Sequence, residues 1–269
     1  MKKFRWINLG IAFLFLVFNT TPVLAQDYYF EVPTAAVDVF INSDGTTAIQ
    51  YIYQFNNSPQ GHAIDYIDLG MPNSNYRLSN VTASVDGIPL NDIQDSEYVS
   101  PGIAVGLGSH SIPAGGSGTV TIRVENVQKM LFTATNQESE PYASFNFRPN
   151  FFDSSFVSGS THMTVRLHLP PGLKAEEPRY ITPSNWPGNN EPVSSIDSDG
   201  GVVYEWVATN ADSGSEYTFG ASFPARLVPA AAVSSQQAIT FDIGEIIATV
   251  LPFLICGGFI VLFIIGTIA

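Results

Sequence analysis

Val37-Asp38-Val39-Phe40-Ile41-Asn42-Ser43-Asp44-Gly45-Thr46-Thr47-Ala48-Ile49-Gln50-Tyr51-Ile52-Tyr53-Gln54-Phe55 is the stretch whose reading decides the fold. Val37, Val39 and Ile41 recur at the period of two that places side chains on one face of a pleated strand. Asn42-Ser43-Asp44-Gly45 then supplies turn chemistry. The returning limb, Thr46 to Phe55, puts Tyr51, Tyr53 and Phe55 on one side. The pattern predicts a β-hairpin.

The same signature spreads outward in both directions. Strands are expected at Ala63–Leu69, at Tyr76–Val85 before Asp86-Gly87, and near Tyr98–Leu107. Val120, Ile122 and Val124 alternate after the flexible run Ala114-Gly115-Gly116-Ser117-Gly118. In the second half Met163, Val165, Leu167 and Leu169 point one way, with Thr164, Arg166 and His168 pointing the other, until Pro170-Pro171-Gly172 stops the strand. Val202, Tyr204 and Trp206 make another apolar face; Tyr217, Phe219, Ala221 and Phe223 make a further one, ended by Pro224. Residues 173–198, rich in Pro, Asn and Ser, form a long excursion between them. No helical period interrupts residues 26–228. Short strands with regular turn signals predict an all-β fold, an antiparallel immunoglobulin-like β-sandwich in two lobes, residues 26–128 and 129–228. One larger sandwich is the alternative.

The two ends predict an address. Residues 1–25 read as a signal peptide: a basic start (Lys2, Lys3, Arg5), an apolar run from Ile7 to Phe18, and a close at Val23-Leu24-Ala25. Residues 229–243 read as a linker and 244–269 as a transmembrane helix. Its last 24 residues, from Ile246, carry no charge, long enough to span a bilayer. The expected localisation is the cell membrane, single-pass, with the body extracytoplasmic and the C-terminus cytoplasmic. No Lys or Arg follows the helix; the expectation is a truncated form of a longer protein or a naturally minimal tail, and the alternative is a hydrophobic tail removed as a lipid-anchor signal.

The chain carries 11 Lys and Arg against 24 Asp and Glu; three of the basic residues precede the cleavage point, so the charge without them is −16. Such a body repels nucleic acid, which is excluded as a partner. The single cysteine, Cys256, lies in the apolar tail, leaving the body without disulfide or thiol chemistry.

No catalytic residue, cofactor or metal site is predicted. His62, His110, His162 and His168 are read as surface histidines, and none stands in a hydrolase or zinc-protease motif. Asp197-Ser198-Asp199-Gly200 opens like a calcium loop but lacks the later ligands, and reads as a turn feeding the Val202 strand. The most unusual stretch runs from Phe145 to Phe156. Phe151 and Phe152 there, with Trp186 framed by Asn185 and Pro187-Gly188, are the candidate ligand contacts.

Phe147-Arg148-Pro149-Asn150-Phe151-Phe152-Asp153, Val165-Arg166-Leu167-His168-Leu169-Pro170-Pro171-Gly172 and Phe219-Gly220-Ala221-Ser222-Phe223-Pro224 occur in that order. With them the chain resembles the bacterial predicted membrane proteins grouped as domain of unknown function 2207. The resemblance implies a signal peptide, an extracytoplasmic β region, membrane helix or helices and a cytoplasmic tail. It implies no activity. The expected function is a non-catalytic cell-envelope binding or interaction module, with an envelope protein or glycan as partner. The alternatives are a sensor or accessory subunit of a membrane complex and, third, an envelope enzyme with a dispersed site.

Overall fold

In the computed structural model, residues 28–135, 140–174 and 176–235 are described. The expected signal peptide and membrane helix lie outside the described residues, as does most of the linker. Among the described residues no helix is long and apolar enough to cross a membrane.

The hairpin forms as its pattern requires. Strands β1 (Phe30–Ile41) and β2 (Thr47–Asn57) pair antiparallel, with Val37 opposite Tyr51 and Val39 opposite Ile49. In the turn, Asp44 Oδ1 accepts the Thr46 N–H at 2.9 Å and its hydroxyl at 2.7 Å. Gly45 is required twice over. Its φ is +82°, and a Cβ there would lie 2.2 Å from the Ala232 methyl.

This hairpin is the centre of a long sheet. β2 pairs with β8 (Ser117–Val127), which pairs with β4 (Val81–Val85), and β5 (Ile88–Leu90) closes that side. On the other side β1 pairs with β12 (Thr161–His168), then come β15 (Val202–Ala211) and the edge strand β14 (Val193–Ile196). A two-residue strand, β11 (Val157–Ser158), also joins β1. Nine strands of the described residues thus make one sheet. A second sheet carries β13 (Arg179–Ile181), β16 (Phe219–Pro224), β10 (Tyr142–Phe147) and β9 (Leu131–Thr133) in that order. A third pairs β3 (Tyr66–Gly70), β7 (Gly102–Gly106) and β6 (Asp92–Asp95).

The protein is therefore all-β, and two details differ from expectation. The long sheet is mixed rather than antiparallel, because β1 and β12 run parallel. No tight hairpin links them; the chain between Ile41 and Thr161 provides the crossover that parallel pairing needs. The long sheet also takes strands from both sides of residue 128, and the described residues up to Val233 belong to one compact unit.

The inner face of the long sheet presents Val37, Val39, Tyr51, Tyr53, Val120, Ile122, Val165, Leu167 and Trp206, all at most 1% exposed. It meets the second sheet through ring contacts, Tyr51 to Phe147 at 6.3 Å and Trp206 to Phe219 at 5.3 Å. Ile67, Leu69, Ile103 and Val105 bring the third sheet into the same core. Tyr51 carries a cost within it. Its hydroxyl is buried without a hydrogen-bond partner among the described residues, and burial pushes the phenol well up. An unmade hydrogen bond on a desolvated group costs more than the group contributes. Tyr51→Phe should therefore stabilise the fold by about 1 kcal/mol. Thermal unfolding checks this; a lower melting temperature in the variant would show that the hydroxyl is satisfied after all.

The strand expected from Tyr98 begins only at Gly102. Ser96 is the reason: its Oγ accepts the N–H groups of Tyr98 at 3.1 Å and Val99 at 2.9 Å, and so offers them an alternative to a ladder. Residues 96–101 form a loop instead, and that loop matters for the surface described next.

Candidate functional site: an exposed row of tyrosines

The three sequence-predicted contacts fall in different environments. Phe152 is half-buried, edge-on to Phe30, Tyr53 and Phe55 at 5.4–5.6 Å, and its N–H donates to the Ser213 carbonyl at 2.9 Å. It pins a corner of the core. Trp186 is only 7% exposed, edge-on to Tyr217 and Phe219. Asn185 takes a positive φ of 56° beside it, so the turn lies at the surface while the indole points inward. Phe151 alone of the three keeps an open ring, 40% exposed, with Arg148 over it at 6.0 Å.

The exposed aromatic surface lies beyond them. Phe156, 39% exposed, meets Tyr28 at 6.4 Å. Tyr28 meets Tyr66 at 6.2 Å and His62 at 5.8 Å, both edge-on. Tyr66, from β3, stacks on Tyr98 at 6.3 Å with the planes 17° apart. Tyr98 is 76% exposed, the most open large ring of the described residues. Four aromatic rings from four segments thus form one surface row.

The row is held in place by polar bonds beneath it. The Tyr28 hydroxyl donates to Asp65 Oδ1 at 2.9 Å, and burial followed by that bond pushes its phenol far up. Burial and then the Tyr98 hydroxyl push the Tyr66 phenol up as well. Both of these phenols are therefore neutral across the physiological range. Ser96 donates to Asp68 Oδ1 at 2.5 Å, which ties the Tyr98 loop to β3. Tyr98 is open to solvent but its backbone is fixed, so little ordering entropy remains to be lost on binding. The same loop forms a wall of an open groove of about 450 Å³, whose other lining residues include Tyr76, Leu78 and Asp95. That is within the size range of small-ligand clefts.

Sequence reading placed the aromatic interest one segment away, at residues 145–156, and missed the row because its rings come from separated segments. Phe156 belongs to both. The available signal was compositional: Tyr and Asp accumulate over residues 62–98, where Arg77 is the only Lys or Arg.

A second polar cluster sits on the outer face of the long sheet. Register places Glu205, Arg166, Asp38, Gln50 and Arg123 side by side across β15, β12, β1, β2 and β8. Arg166 Nε donates to Glu205 at 2.6 Å and its Nη1 lies 3.4 Å from Asp38. His168 corrects the expectation of a surface histidine. Its side chain is 16% exposed, with Nε2 3.2 Å from Asp38, Nδ1 3.6 Å from Asp197, and the ring stacked on Phe40 at 4.2 Å. The Asp197 turn forms as expected, with Asp197 Oδ1 accepting the N–H groups of Asp199 and Gly201, and this brings its other oxygen toward His168. Burial would raise the Asp38 carboxyl, but the hydrogen bond to His168 and the charge of Arg166 hold it below the usual carboxylate range. Asp38, Glu205, Arg166 and Arg123 each have an opposite partner, so the cluster is a structural staple of the sheet. Among the described residues no three His, Cys, Asp or Glu side chains converge to hold a metal ion.

No family model and no curated protein matches the chain. Among solved structures it is similar to an M1 zinc metallopeptidase from Deinococcus radiodurans, 10% identical with a TM-score of 0.44, covering 72% of this chain and 42% of that one. A two-domain M1 zinc metallopeptidase mutant bound to L-arginine gives 10% identity and a TM-score of 0.45, covering 71% and 42%. The chain thus spans less than half the length of these structures, and likenesses this distant carry no chemistry across.

Proposed function

We propose that this chain is a non-catalytic binding module of the cell envelope. In this reading an immunoglobulin-like β-sandwich body is displayed outside the cell by a C-terminal membrane helix, in the manner of the domain of unknown function 2207 proteins. The binding surface is the row Phe156, Tyr28, Tyr66 and Tyr98. The supporting observation is the exposure of Tyr98: a ring 76% open yet carried on a loop anchored by Ser96 and Asp68. Large rings held rigidly at a surface are what interfaces use as anchors.

The test is a crosslinking pull-down from native cells with the full chain tagged after Ala25, comparing wild type with Tyr98→Ala/Phe156→Ala. The double variant should lose the captured envelope partner about tenfold or more while staying folded, because Tyr98 is 76% and Phe156 39% exposed and neither is a buried core residue. Equal recovery by both chains would remove the row from the function. Protease added to intact cells should also cut the tag, and protection of the tag would overturn the topology.

A further inference from the structure

We infer that the occupant of the tyrosine row is a cationic segment of a partner protein, rich in lysine or arginine; this rests on the row being the binding surface. Two independent features of the same surface lead there. The first is the open face of Tyr98, with Tyr66 stacked nearly parallel beneath it. An aromatic face carries negative potential and attracts ammonium and guanidinium groups, arginine above all because its plane can stack.

The second feature is a run of acids in this part of the fold with no base among them. Elsewhere several acids have a basic partner, although others, such as Glu31 and Asp199, make no ion pair among the described residues. Asp38 and Glu205 face Arg166, Glu125 faces Arg123, Glu216 faces Arg148, and Glu140 and Glu177 share Arg226. The third sheet and its loops differ. Residues 62–76 and 88–122 contain Asp65, Asp68, Asp92, Asp95 and Glu97 but no Lys or Arg. None of these five carboxylates makes an ion pair among the described residues. Glu97 is the immediate neighbour of Tyr98, and Asp65 and Asp68 hold the row from below. A row of rings rimmed by unmatched carboxylates is complementary to a positive chain. It has no use for that charge toward a neutral glycan, and it repels an anionic one.

The experiment titrates the full chain with a fluorescent hexa-arginine peptide and, separately, with neutral chitohexaose, for wild type, Tyr98→Ala, Glu97→Gln and Asp199→Asn. Asp199 is an exposed acid on the turn before β15 and serves as a charge-matched control. The peptide should bind wild type. Tyr98→Ala should weaken it about tenfold, Glu97→Gln should weaken it severalfold, and Asp199→Asn should leave it unchanged. Raising the salt from about 0.05 M to about 0.5 M should weaken it further by screening the rim. If Glu97→Gln and Asp199→Asn weaken the peptide equally and Tyr98→Ala does nothing, the attraction is only that of an acidic body and the inference fails. If chitohexaose binds in a Tyr98-dependent, salt-independent way while the peptide does not, the row is a binding surface but its occupant is neutral. If Tyr98→Ala changes neither titration, the row itself falls along with the inference.

Discussion

Trp206→Ala should destabilise the protein by about 3–5 kcal/mol, a large part of the stability of an ordinary domain. The residue sits in β15 on the inner face of the long sheet, 1% exposed. Its ring meets Phe219 of the second sheet at 5.3 Å and Tyr204 and Tyr180 at 6.1 and 6.5 Å. The indole N–H donates to the Asn190 carbonyl at 3.1 Å, fixing the segment that leads into β14. Truncation would leave a cavity between two sheets and an unpaired carbonyl at its edge, and neither can be repaired by a small shift. Urea unfolding of the full chain measures the loss as a fall in midpoint at unchanged slope. Trp186→Ala is the instructive comparison. Its indole nitrogen has no hydrogen-bond partner among the described residues, so only the cavity term applies and the cost should be smaller. A cost below about 1 kcal/mol for Trp206→Ala would mean that the two sheets do not share this part of the core.

Why these strands were legible in the sequence, and the row was not, has a physical basis. Strands with one buried face must alternate, and Val37, Val39, Ile41 or Val120, Ile122, Val124 do so within a few residues of chain. Turn residues with special backbone needs, such as Gly45, announce themselves locally. Pairing between distant strands leaves no such local trace: nothing in β1 or β12 alone reveals that they lie parallel. Side-chain direction at a turn is equally hidden, so Trp186, set among Asn, Pro and Gly, reads equally as an exposed contact or a cap of the sandwich, and its ring lies in the core. Phe152, read in the sequence as a ligand contact, packs half-buried against Phe30, Tyr53 and Phe55. Tyr28, Tyr66 and Tyr98 meet only once the third sheet folds against β1 and the Phe156 segment. His168 alternates correctly to the outer face of β12, but Asp38 of β1 and Asp197 of the turn after β14 close over its two nitrogens from segments distant in sequence.

That outer cluster yields the second large expected effect. Asp38→Ala should cost about 2 kcal/mol at neutral pH. The full penalty for breaking a buried ion pair is larger, but Arg166 is 37% exposed and keeps Glu205 at 2.6 Å, so water and the remaining partner absorb part of the loss. The near-isosteric Asp38→Asn isolates the charge. In the folded protein His168 and Arg166 outweigh the burial of Asp38 and hold its carboxyl below its ordinary value. A group whose pKa is depressed on folding adds stability at pH values above its unfolded pKa, about 3.9. The contribution fades as pH falls through the folded pKa, where the native carboxylate finally takes up its proton. The stability gap between wild type and Asp38→Asn should therefore be present at neutral pH and close as the pH falls below about 4. Urea titrations of both chains across that range measure it. A gap that persists unchanged into acid would mean that Asp38 acts through shape alone and that its charge does not hold β1, β12 and β15 in register.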